Sequence, residues 1–534
     1  MIRVVVLLAV LVLWFLLGPW VLVAALASLL VPRVRAFLRP EHPWRGLGIA
    51  LAVVLVLGGI VWLIPDGRLP LPPGAGVLVS PSYVGRPAMA RPIDGVEVPQ
   101  NPHLAPNGAS SMHDDAWATD SYAWPGPLGE KPEVDTAWYG IEECASLAFD
   151  TQERIIALCG DLSGPRLHVV DPETLRFLTT KDLPDRVDVE GKAPWENLCG
   201  GAYFYLDQDD RAVVATTDRQ VLAVATSDGD GNADLTVDDS WDLADDIPSD
   251  DCMIALLPDW AGRIWFATSK GRVGVVDPET DEVQVEALGE EIANSIATDE
   301  TGGVYVVTTG ALYRLSADAG GRPRVDWRQQ YDAGSEQKPG QLSQGSGTTP
   351  TLLPGGLVAI TDNADPRMHV LFLRRDTGEE VCEAPVFDDG ASASDNSLVV
   401  VGPASVVVEN NYGYASPLST VLGRTTTPGF ARVDLVDGRC KVAWTNDDIV
   451  GPTSVAKSSL ATGLVYAYTK RHSWWGASAW YLTALDATTG RHVFSVRTGT
   501  SIFANNHYSA VTIAPDGSAY AATLGGLVRV RDGG

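Results

Sequence analysis

The stretch YLTALDATTGRHVFSVRTG, residues 481–499, joins two short β-branched runs through an Asp-Ala-Thr-Thr-Gly turn. Alternating apolar residues on both sides of such a turn are typical of a β-hairpin. The same signal recurs upstream in RLHVVDPET (166–174), RVGVVDPET (272–280), HVLFLRRDTG (369–378) and ARVDLVDG (431–438). A hairpin repeated along the chain predicts an array of equivalent units.

Each hairpin is preceded by a β-rich run, and eight such runs follow one another at roughly 40–58 residues. They are RIIALCG (154–160), RAVVATTD (211–218), RIWFATS (263–269), GVYVVTTG (303–310), GLVAITDN (356–363), SVVVENN (405–411), GLVYAYTK (463–470) and SAYAATLG (518–525). A period near ~50 is that of a four-stranded propeller blade. The last unit has three strands, and EVDTAWYGI (133–141) can supply the fourth. The sequence therefore predicts an all-β fold, an eight-bladed β-propeller over residues 133–534, with seven blades as the alternative.

The units VDPETLRFL, VDPETDEV, RRDTGEEV and YLTALDATTGRHVFSVRTG resemble the repeat of pyrroloquinoline-quinone-type, or quinoprotein-like, propellers. That repeat ends a strand in Leu-Asp, turns through Thr-Gly and places a Trp shortly after. Trp327 and Trp444 occupy this place in two units, and Phe494 occupies it in a third. The resemblance implies a β-propeller fold. A quinone site would also imply adjacent cysteines and a stacking Trp. Because the chain has no Cys-Cys pair, we expect no PQQ.

Two apolar runs open the chain, at residues 2–31 and 46–65. Each is long enough to span the hydrocarbon of a bilayer. We expect transmembrane helices at 1–32 and 46–65, and a cytoplasmic basic loop at 33–45 because of its four arginines. The propeller would then lie on the extracytoplasmic side of a multi-pass protein of the cell membrane. A re-entrant hairpin bent at Gly18-Pro19 is the alternative for the first run.

The charge of the chain is strongly negative and unevenly distributed. The net charge is -28, whereas the first 66 residues hold five arginines against two acids, a net charge of +3. An acidic surface repels phosphate backbones, so nucleic acid is excluded as a partner. It also repels anionic lipid headgroups, so we expect the folded part to stand off the bilayer.

Six cysteines lie beyond the apolar runs, and an even count on the oxidising side of a membrane predicts three disulfides. Sequence alone allows 15 connectivities. Placing the cysteines on the blades favours the pairs Cys144–Cys159, Cys199–Cys252 and Cys382–Cys440.

Polar residues stand just before or at the start of the predicted innermost strands. In a propeller these positions converge on one mouth of the central channel. The residues that we expect there are Glu143, Glu196, Asn197, Asp251, Asn294, Asp395 and Asn396, with Glu142, Asp250, Ser295, Asn505, Asn506 and His507 beside them. Carboxylate and amide oxygens are the ligands of Ca²⁺. The alternative is that these residues cap turns and line a wet channel.

A resemblance supports the calcium interpretation. The stretch IANSIATDETGGVYVVTTG (292–310) resembles blades of gluconolactonases, strictosidine-synthase-like proteins and paraoxonases, which implies a catalytic calcium held by channel-facing Glu, Asn and Asp side chains. The loop TSDGDGNADL (226–235) resembles Asp-rich calcium loops. There Asp228, Asp230, Asn232 and Asp234 would be the ligands, and a polar hairpin is the alternative.

Residues 66–132 form a Pro/Gly-rich extracytoplasmic linker, part of which we expect to pack on the propeller. Its aromatic-rich end holds Asn107, His113, Asp114, Asp115 and Asp120 among Trp117, Tyr122 and Trp124. This end either completes a site at a channel mouth or is a surface clamp.

No nucleophile elbow, phosphate-binding glycine loop or zinc-spaced His/Glu pair occurs in the sequence. We therefore expect a binding or scaffold module for an envelope protein or a small ligand. The alternative is a calcium-dependent hydrolase of the lactonase or esterase type at the channel mouth.

Overall fold

The structure is a computed structural model that describes residues 2–39, 48, 51–53, 55–56, 58–59, 61, 63–106, 108–186, 199 and 203–534. The chain begins with three helices, α1 (Ile2–Leu17), α2 (Trp20–Ser28) and α3 (Pro32–Leu38), and the described residues between 48 and 61 are also helical. In the described part of the chain, no single helix has both the length and the apolar composition to cross a bilayer. Helices α2 and α3 reach that length together, across a bend of 96°.

Three strands precede the first blade: β1 (Tyr83–Gly85), β2 (Ser121–Tyr122) and β3 (Glu133–Trp138). Strand β3 pairs with the last strand of the chain, from Glu133 opposite Arg531 to Trp138 opposite Gly526. The N-terminal end of the propeller therefore supplies the outer strand of the last blade, as the sequence predicts. Because this pairing joins the two ends of the ring, it closes the propeller.

Eight four-stranded antiparallel blades follow. Blade 1 consists of β4 (Glu143–Phe149), β5 (Ile155–Gly160), β6 (Pro165–Val170) and β7 (Phe177–Asp182), and blade 2 of β8 (Phe204–Leu206), β9 (Ala212–Ala215), β10 (Gln220–Val224) and β11 (Val237–Asp242). Blade 3 consists of β12 (Met253–Pro258), β13 (Ile264–Thr268), β14 (Arg272–Asp277) and β15 (Glu282–Ala287), and blade 4 of β16 (Ala297–Thr298), β17 (Val304–Val307), β18 (Ala311–Ala317) and β19 (Pro323–Gln330). Blade 5 consists of β20 (Thr351–Leu353), β21 (Leu357–Thr361), β22 (His369–Arg374) and β23 (Glu380–Pro385), and blade 6 of β24 (Val399–Gly402), β25 (Ser405–Glu409), β26 (Phe430–Val436) and β27 (Arg439–Asn446). Blade 7 consists of β28 (Lys457–Ser459), β29 (Leu464–Lys470), β30 (Trp480–Asp486) and β31 (His492–Gly499), and blade 8 of β32 (Val511–Ile513), β33 (Ala519–Thr523), β34 (Gly526–Arg531) and β3. The prediction of eight blades is confirmed.

Burial falls from the channel outwards within a blade. In blade 3 every residue of the innermost strand β12 is buried, whereas the outermost strand β15 of the same blade has no buried residue. Strands β1 and β2 widen blade 7, where β1 pairs with β31 and β2 runs parallel to β28. Residues 66–132 are thus partly built into the propeller.

An aspartate at the end of an innermost strand shapes the turn to the second strand. The Oδ1 atom of Asp259 accepts backbone hydrogen bonds from Ala261 (2.8 Å) and Arg263 (3.1 Å), and its Oδ2 atom accepts one from Arg263 Nε (2.8 Å). Asp150 with Arg154 and Asp207 with Arg211 repeat this arrangement. An Asp that binds the backbone two residues on favours a tight turn, so this residue fixes the hairpin at the end of the strand.

The tryptophan of the repeat joins neighbouring blades. Trp444, in the outermost strand of blade 6, donates its indole N–H to the carbonyl of Ala487 in blade 7 (3.1 Å), and its ring covers Gly490. Trp327 covers Gly378 in the same way. Both glycines have a positive φ, +69° and +73° respectively, and a Cβ atom at either would overlap the indole. The Thr-Gly turn is therefore a docking position for the Trp of the preceding blade.

All three predicted disulfides are confirmed. Cys144–Cys159 joins two strands of blade 1, Cys199–Cys252 joins the entries of blades 2 and 3, and Cys382–Cys440 joins the outermost strands of blades 5 and 6.

We predict that Gly490→Ala lowers the free energy of unfolding more than Gly438→Ala does. Both glycines have similar positive φ values, so both substitutions strain the backbone by about 1–2 kcal/mol. At Gly438 a Cβ meets open space, whereas at Gly490 it meets the ring of Trp444. Overpacking should add about 1–3 kcal/mol at Gly490. Denaturant titration of the two variants measures the difference, and equal losses would contradict the docking role of the turn.

Candidate functional site

Residues 101–124, which we call the closing segment, cross one end of the channel. The segment contacts the final part of the innermost strand in every blade. Backbone N–H groups of Phe149, Leu206, Thr298, Leu352, Val400 and Ser458 donate to the carbonyls of Ala109, Ser110, Ala116, Trp117, Thr119 and Asp120, at 2.7–3.1 Å. The side chains of Asn101 and Trp124 donate to the carbonyls of Pro258 and Ile513 in blades 3 and 8. Asn107 lies outside the described residues.

The closing segment is buried although it is irregular. Ala118 and Asp120 are fully buried, and Asp114 is 1% exposed. These three residues have positive φ values of 53°, 54° and 73°. Non-glycine residues adopt this strained region only where surrounding contacts determine the backbone. The hydrogen bonds to all eight blades supply those contacts. The closing segment is therefore a fixed part of the fold that closes the channel.

A cavity of about 440 Å³ fills the open end of the channel, where the innermost strands begin. Four of the predicted ring residues line it: Glu143, Asn294, Asp395 and Asn396. His113 of the closing segment lines it as well. These residues all lie at the start of an innermost strand or up to four residues before it, and this placement brings them to one compartment.

Asp251 does not line the cavity. Its carboxylate accepts hydrogen bonds from Thr268 Oγ1 (2.8 Å) and the Lys270 backbone (3.0 Å), and it pairs with Arg272 (2.7 Å). It therefore holds a turn of blade 3. Glu196 and Asn197 lie outside the described residues, so their part of the prediction stays open.

Two carboxyl groups of the cavity wall, those of Glu143 and Asp395, are poorly compensated, whereas Asp161, which also lines the cavity, pairs with Arg166 (3.2 Å). Burial raises the pKa of Asp395 to about 8, and its Oδ1 atom accepts one hydrogen bond, from the backbone N–H of Leu342 (3.1 Å). Burial also raises the pKa of Glu143 well above its usual value, although Arg186 partly opposes the shift. A buried carboxyl without a partner either binds a proton or recruits a cation.

A third carboxyl group, which the sequence interpretation missed, lies behind Asn396. Glu409 is 3% exposed, and burial raises its pKa well above the usual value. Its Oε1 atom accepts hydrogen bonds from the side-chain amides of Asn396 and of Asn411 (2.8 Å). Its Oε2 atom and the Oδ1 atom of Asn396 are buried with no hydrogen-bond donor in the described part of the chain. The signal was the run Glu409-Asn410-Asn411 directly after an apolar strand.

A cluster of charged side chains, which we call the floor cluster, lies behind His113 at the closed end of the cavity. The Lys457 ammonium contacts both Asp114 (3.1 Å) and Asp120, and all three side chains are at most 1% exposed. His113 Nδ1 lies 3.1 Å from Asp120 Oδ1, and its Nε2 lies 3.3 Å from Thr349 Oγ1. Burial raises the pKa of Asp114 to about 8, whereas Lys457 and His113 outweigh burial and lower the pKa of Asp120. The predicted aspartates thus neutralise a buried lysine.

Aromatic side chains stand at the mouth. His507 Nδ1 lies 3.0 Å from the hydroxyl of Tyr414, and Tyr508 packs edge-on against Tyr414 at 5.6 Å. His507 and Tyr508 are consecutive and have positive φ values of 37° and 69°. The neighbouring Asn505 donates to the Tyr414 hydroxyl (3.0 Å). These contacts fix the entry to blade 8 at the cavity rim.

The loop at 226–235 has the contacts of a polar hairpin. Asp228 accepts backbone hydrogen bonds from Asp230 (2.9 Å) and Asn232 (2.8 Å), and Asp234 accepts one from Thr236 Oγ1 (2.8 Å). The pKa of Asp228 is lowered, chiefly by the side chain of Asn232. This geometry matches the alternative that the sequence left open for the loop.

Among the described residues, two groups of His, Cys, Asp or Glu side chains come close enough to share a metal ion. They are Glu142, Cys159 and His168, and Asp362, His369 and Glu383. Glu142 is expected beside the predicted ring, but the other five residues are not, and the sulfur of Cys159 is in a disulfide. The calcium prediction for the ring therefore depends on its amide oxygens as much as on its carboxylates.

Known proteins resemble this chain mainly in its fold. The quinohemoprotein alcohol dehydrogenase of Comamonas testosteroni has 12% identity and a TM-score of 0.51, over 80% of this chain and 81% of that chain. The chain has the eight-bladed fold of the quinoprotein dehydrogenases. A europium-containing methanol dehydrogenase gives a TM-score of 0.46 at 10% identity, over 78% of this chain and 97% of that chain.

An uncharacterized protein of Archaeoglobus fulgidus is 32% identical over 308 residues, which are 50% of this chain and 59% of that protein. The chain thus spans about three fifths of the length of this relative. No family model matches the chain.

The cavity fits a quinone poorly. The cysteine that lines it, Cys159, is bonded to Cys144, which lies across a strand pair rather than next to it in sequence. None of the described lining residues is a tryptophan. The two features that the quinoprotein resemblance implies for cofactor binding are thus missing from the described wall, and we derive no chemistry through PQQ.

We predict that Lys457→Met costs about 3–5 kcal/mol of unfolding free energy, because it leaves Asp114 and Asp120 buried without their cation. Lys470→Met is the matched control. Lys470 is also buried in blade 7, but burial lowers its pKa to about 7 and its ammonium nitrogen contacts a backbone carbonyl (3.4 Å). At pH 8 its loss should change stability little. Urea titrations of both variants at pH 8 measure the difference, and comparable losses would refute the structural role of the floor cluster.

Proposed function

We propose that this protein is a membrane-anchored, extracytoplasmic binding propeller that holds a small molecule with a positively charged amine in its channel cavity. One observation carries the proposal: Asp395 lines the cavity, its Oδ1 atom accepts a single hydrogen bond, from the backbone N–H of Leu342 (3.1 Å), and no cationic side chain among the described residues contributes to its pKa. A buried carboxylate without a cation is costly. A cationic ligand that donates to this carboxylate recovers that cost.

The charges of the wall select the ligand class. Glu143 has the guanidinium of Arg186 nearby, but no cationic side chain among the described residues contributes to the pKa of Asp395 or of Glu409. An ammonium group carries one positive charge and three donors. It can therefore pair with the Asp395 carboxylate and still donate to other acceptors of the wall. The remaining wall is largely apolar, which suits an organic amine better than a bare ion.

The anchoring part of the proposal rests on the N-terminal helices. Helices α1 and α2 have no buried residue, and the exposed side chains include Leu7, Leu8 and Leu26 at 55–66%. Exposed apolar surface of this extent marks a membrane or an interface. The basic loop at 33–45 favours the cytoplasm, and the propeller then lies outside. An envelope protein as a further partner stays a prediction.

We expect the full chain in detergent micelles to bind butylammonium, with an affinity that increases with pH. Asp395 must lose its proton to pair with the amine. Because burial raises its pKa to about 8, affinity should rise roughly tenfold per pH unit below that value and level off above it. Isothermal titration calorimetry between pH 5.5 and 9 measures this dependence. Asp395→Asn should abolish it, whereas Asp230→Asn, on an exposed loop, should leave it intact. No butylammonium binding at any pH would reject the function.

The alternative function is a calcium-dependent hydrolase. It is favoured by the joint location of Glu143, Asn294, Asp395 and Asn396 on one cavity wall. Asn294 donates its amide N–H to the carbonyl of Ser346 (2.9 Å), which leaves its carbonyl oxygen for a ligand. Elemental analysis separates the two functions. Stoichiometric calcium in the purified full chain, together with a melting temperature that falls on chelation, would favour the hydrolase.

A further inference from the structure

Both apolar segments of the N-terminus attach to the same face of the propeller. At the first break, the carbonyls of Phe15 and Leu16 at the end of α1 accept hydrogen bonds from the backbone of Gly76 (2.8 Å) and Leu78 (3.0 Å). The indole N–H of Trp20 donates to the carbonyl of Trp474 (2.6 Å). The Gly18-Pro19 break is thus fixed against the loop that joins β29 to β30.

The second apolar run leads to the same face at a separate place. Gly67, two residues after its last member, donates to the carbonyl of Trp138 (3.0 Å), and the N–H of Trp138 donates to Leu69 (2.7 Å). Trp138 ends β3, next to the entry of blade 1. If residues 46–65 cross the bilayer, Trp138 lies within a few residues of the membrane surface.

The strand directions identify this face as the cavity mouth. Each innermost strand runs from the cavity towards the closing segment, and its antiparallel neighbour runs back. Connections from the second to the third strand of a blade therefore lie on the mouth side. The connection at 471–479 in blade 7 and that at 410–429 in blade 6 are of this kind. The helices thus approach the propeller from the side on which the cavity opens.

Large apolar side chains are exposed around this mouth. They are Ile141 (60%), Leu162 (70%), Leu418 (62%), Leu422 (60%), Trp474 (86%) and Trp475 (55%). They lie on blades 1, 6 and 7, on loops that adjoin the helix attachments. Arg424 and Arg471 are exposed beside them. Trp and basic side chains next to an apolar patch are typical of the interface of a membrane.

We propose that the mouth face rests on the outer leaflet of the bilayer and that the cavity takes an amphiphile with an amine head group from that leaflet. This inference rests on the proposed function and names its ligand class. Ile141 and Leu162 belong to the exposed rim and also line the cavity, and Phe503 continues the apolar wall inwards. An alkyl chain therefore has an apolar path along the wall, while the amine reaches Asp395.

The proposal replaces the expectation that the whole acidic domain stands off the bilayer. Exposed acids also lie on mouth-side connections, such as Asp250, Asp365 and Asp388, whereas the rim beside the helix attachments combines apolar side chains with Arg424 and Arg471. Burying apolar surface contributes about 25 cal/mol per Å², so a rim of this composition favours the interface even where the rest of the surface is acidic. Whether the mouth face contacts the bilayer is therefore determined by the composition of that face and not by the net charge of the whole domain.

The docking arm of the test uses the full chain in phosphatidylcholine nanodiscs. Leu162→Cys and Leu418→Cys each introduce the one free thiol, since all native cysteines are in disulfides. Each is labelled with NBD, and Gln208→Cys, on an exposed turn at the opposite face, is the control. We expect blue-shifted emission that doxyl-lipids quench at 162 and 418, and neither effect at 208. Emission at 162 and 418 that matches 208 overturns the docking, as does a blue shift without quenching, which indicates a protein contact.

The ligand arm uses a diazirine-bearing hexadecylamine in the same nanodiscs. Irradiation should label peptides of the cavity wall in the wild type, at least fivefold more than in Asp395→Asn, and butylammonium should compete. Cavity labelling no greater than in Asp395→Asn, while butylammonium still binds, refutes the amphiphile and leaves the proposed function intact. Failure of butylammonium to bind rejects the proposed function itself, whatever the docking arm shows.

Discussion

The structure depends on how the backbone is satisfied at the axis of an eight-bladed ring. Each innermost strand is the inner edge of its blade, and the N–H and C=O groups that face the channel have no neighbouring strand to bind. Buried backbone groups without partners are costly. The closing segment answers this constraint with carbonyls that accept from the strand ends of six blades, such as Val400 to Thr119, and with the side chains of Asn101 and Trp124 for the other two. The channel is thereby converted into a cavity with a single open end.

The chemistry of the cavity follows from that closure. The closing segment brings His113, Asp114 and Asp120 to the axis, and Lys457 from blade 7 compensates the two aspartates. Lys457 and His113 hold the pKa of Asp120 below its usual value, whereas Asp395 and Glu409 have no such partner among the described residues, so burial raises their pKa values. The difference between a compensated floor and an uncompensated wall indicates where a cationic ligand would bind. It also explains why substitutions on the floor should affect folding and those on the wall should affect binding.

The blades and the disulfides were predictable from the sequence because they depend on local, repeated signals. Turn residues, β-branched runs and a fixed period determine which strands are neighbours, and the cysteines follow from that placement. The same repeat placed Asn294 and Asp395 at the cavity, because residues just before an innermost strand lie at the same end of the channel. Asp251 also precedes its strand but turns away to Arg272, since the place along the chain fixes the backbone and not the side-chain direction.

Contacts between distant parts of the chain were not predictable. The pairing of Lys457 with Asp120 joins residues 337 apart, and nothing in the sequence near either residue indicates the other. Glu409 opens a polar run in the sequence, but nothing there indicates that the fold places it behind Asn396. The path of residues 101–124 across all eight blades has no periodic signal, because each contact uses backbone groups that every residue type carries. The aromatic residues of this segment predicted that it packs on the propeller, but they did not predict its path across the channel.

Hydrogen exchange of the closing segment tests the central claim most directly, because irregular loops normally exchange fast, whereas the amides of a segment held in the channel by strand-end donors are buried and exchange only when the segment undocks. In the full chain, peptides that cover residues 104–122 should exchange as slowly as those that cover the innermost strands β12 and β24. Exchange as fast as that of the exposed hairpin at 226–235 would show that the segment does not close the channel, and the cavity with a single opening would then be lost.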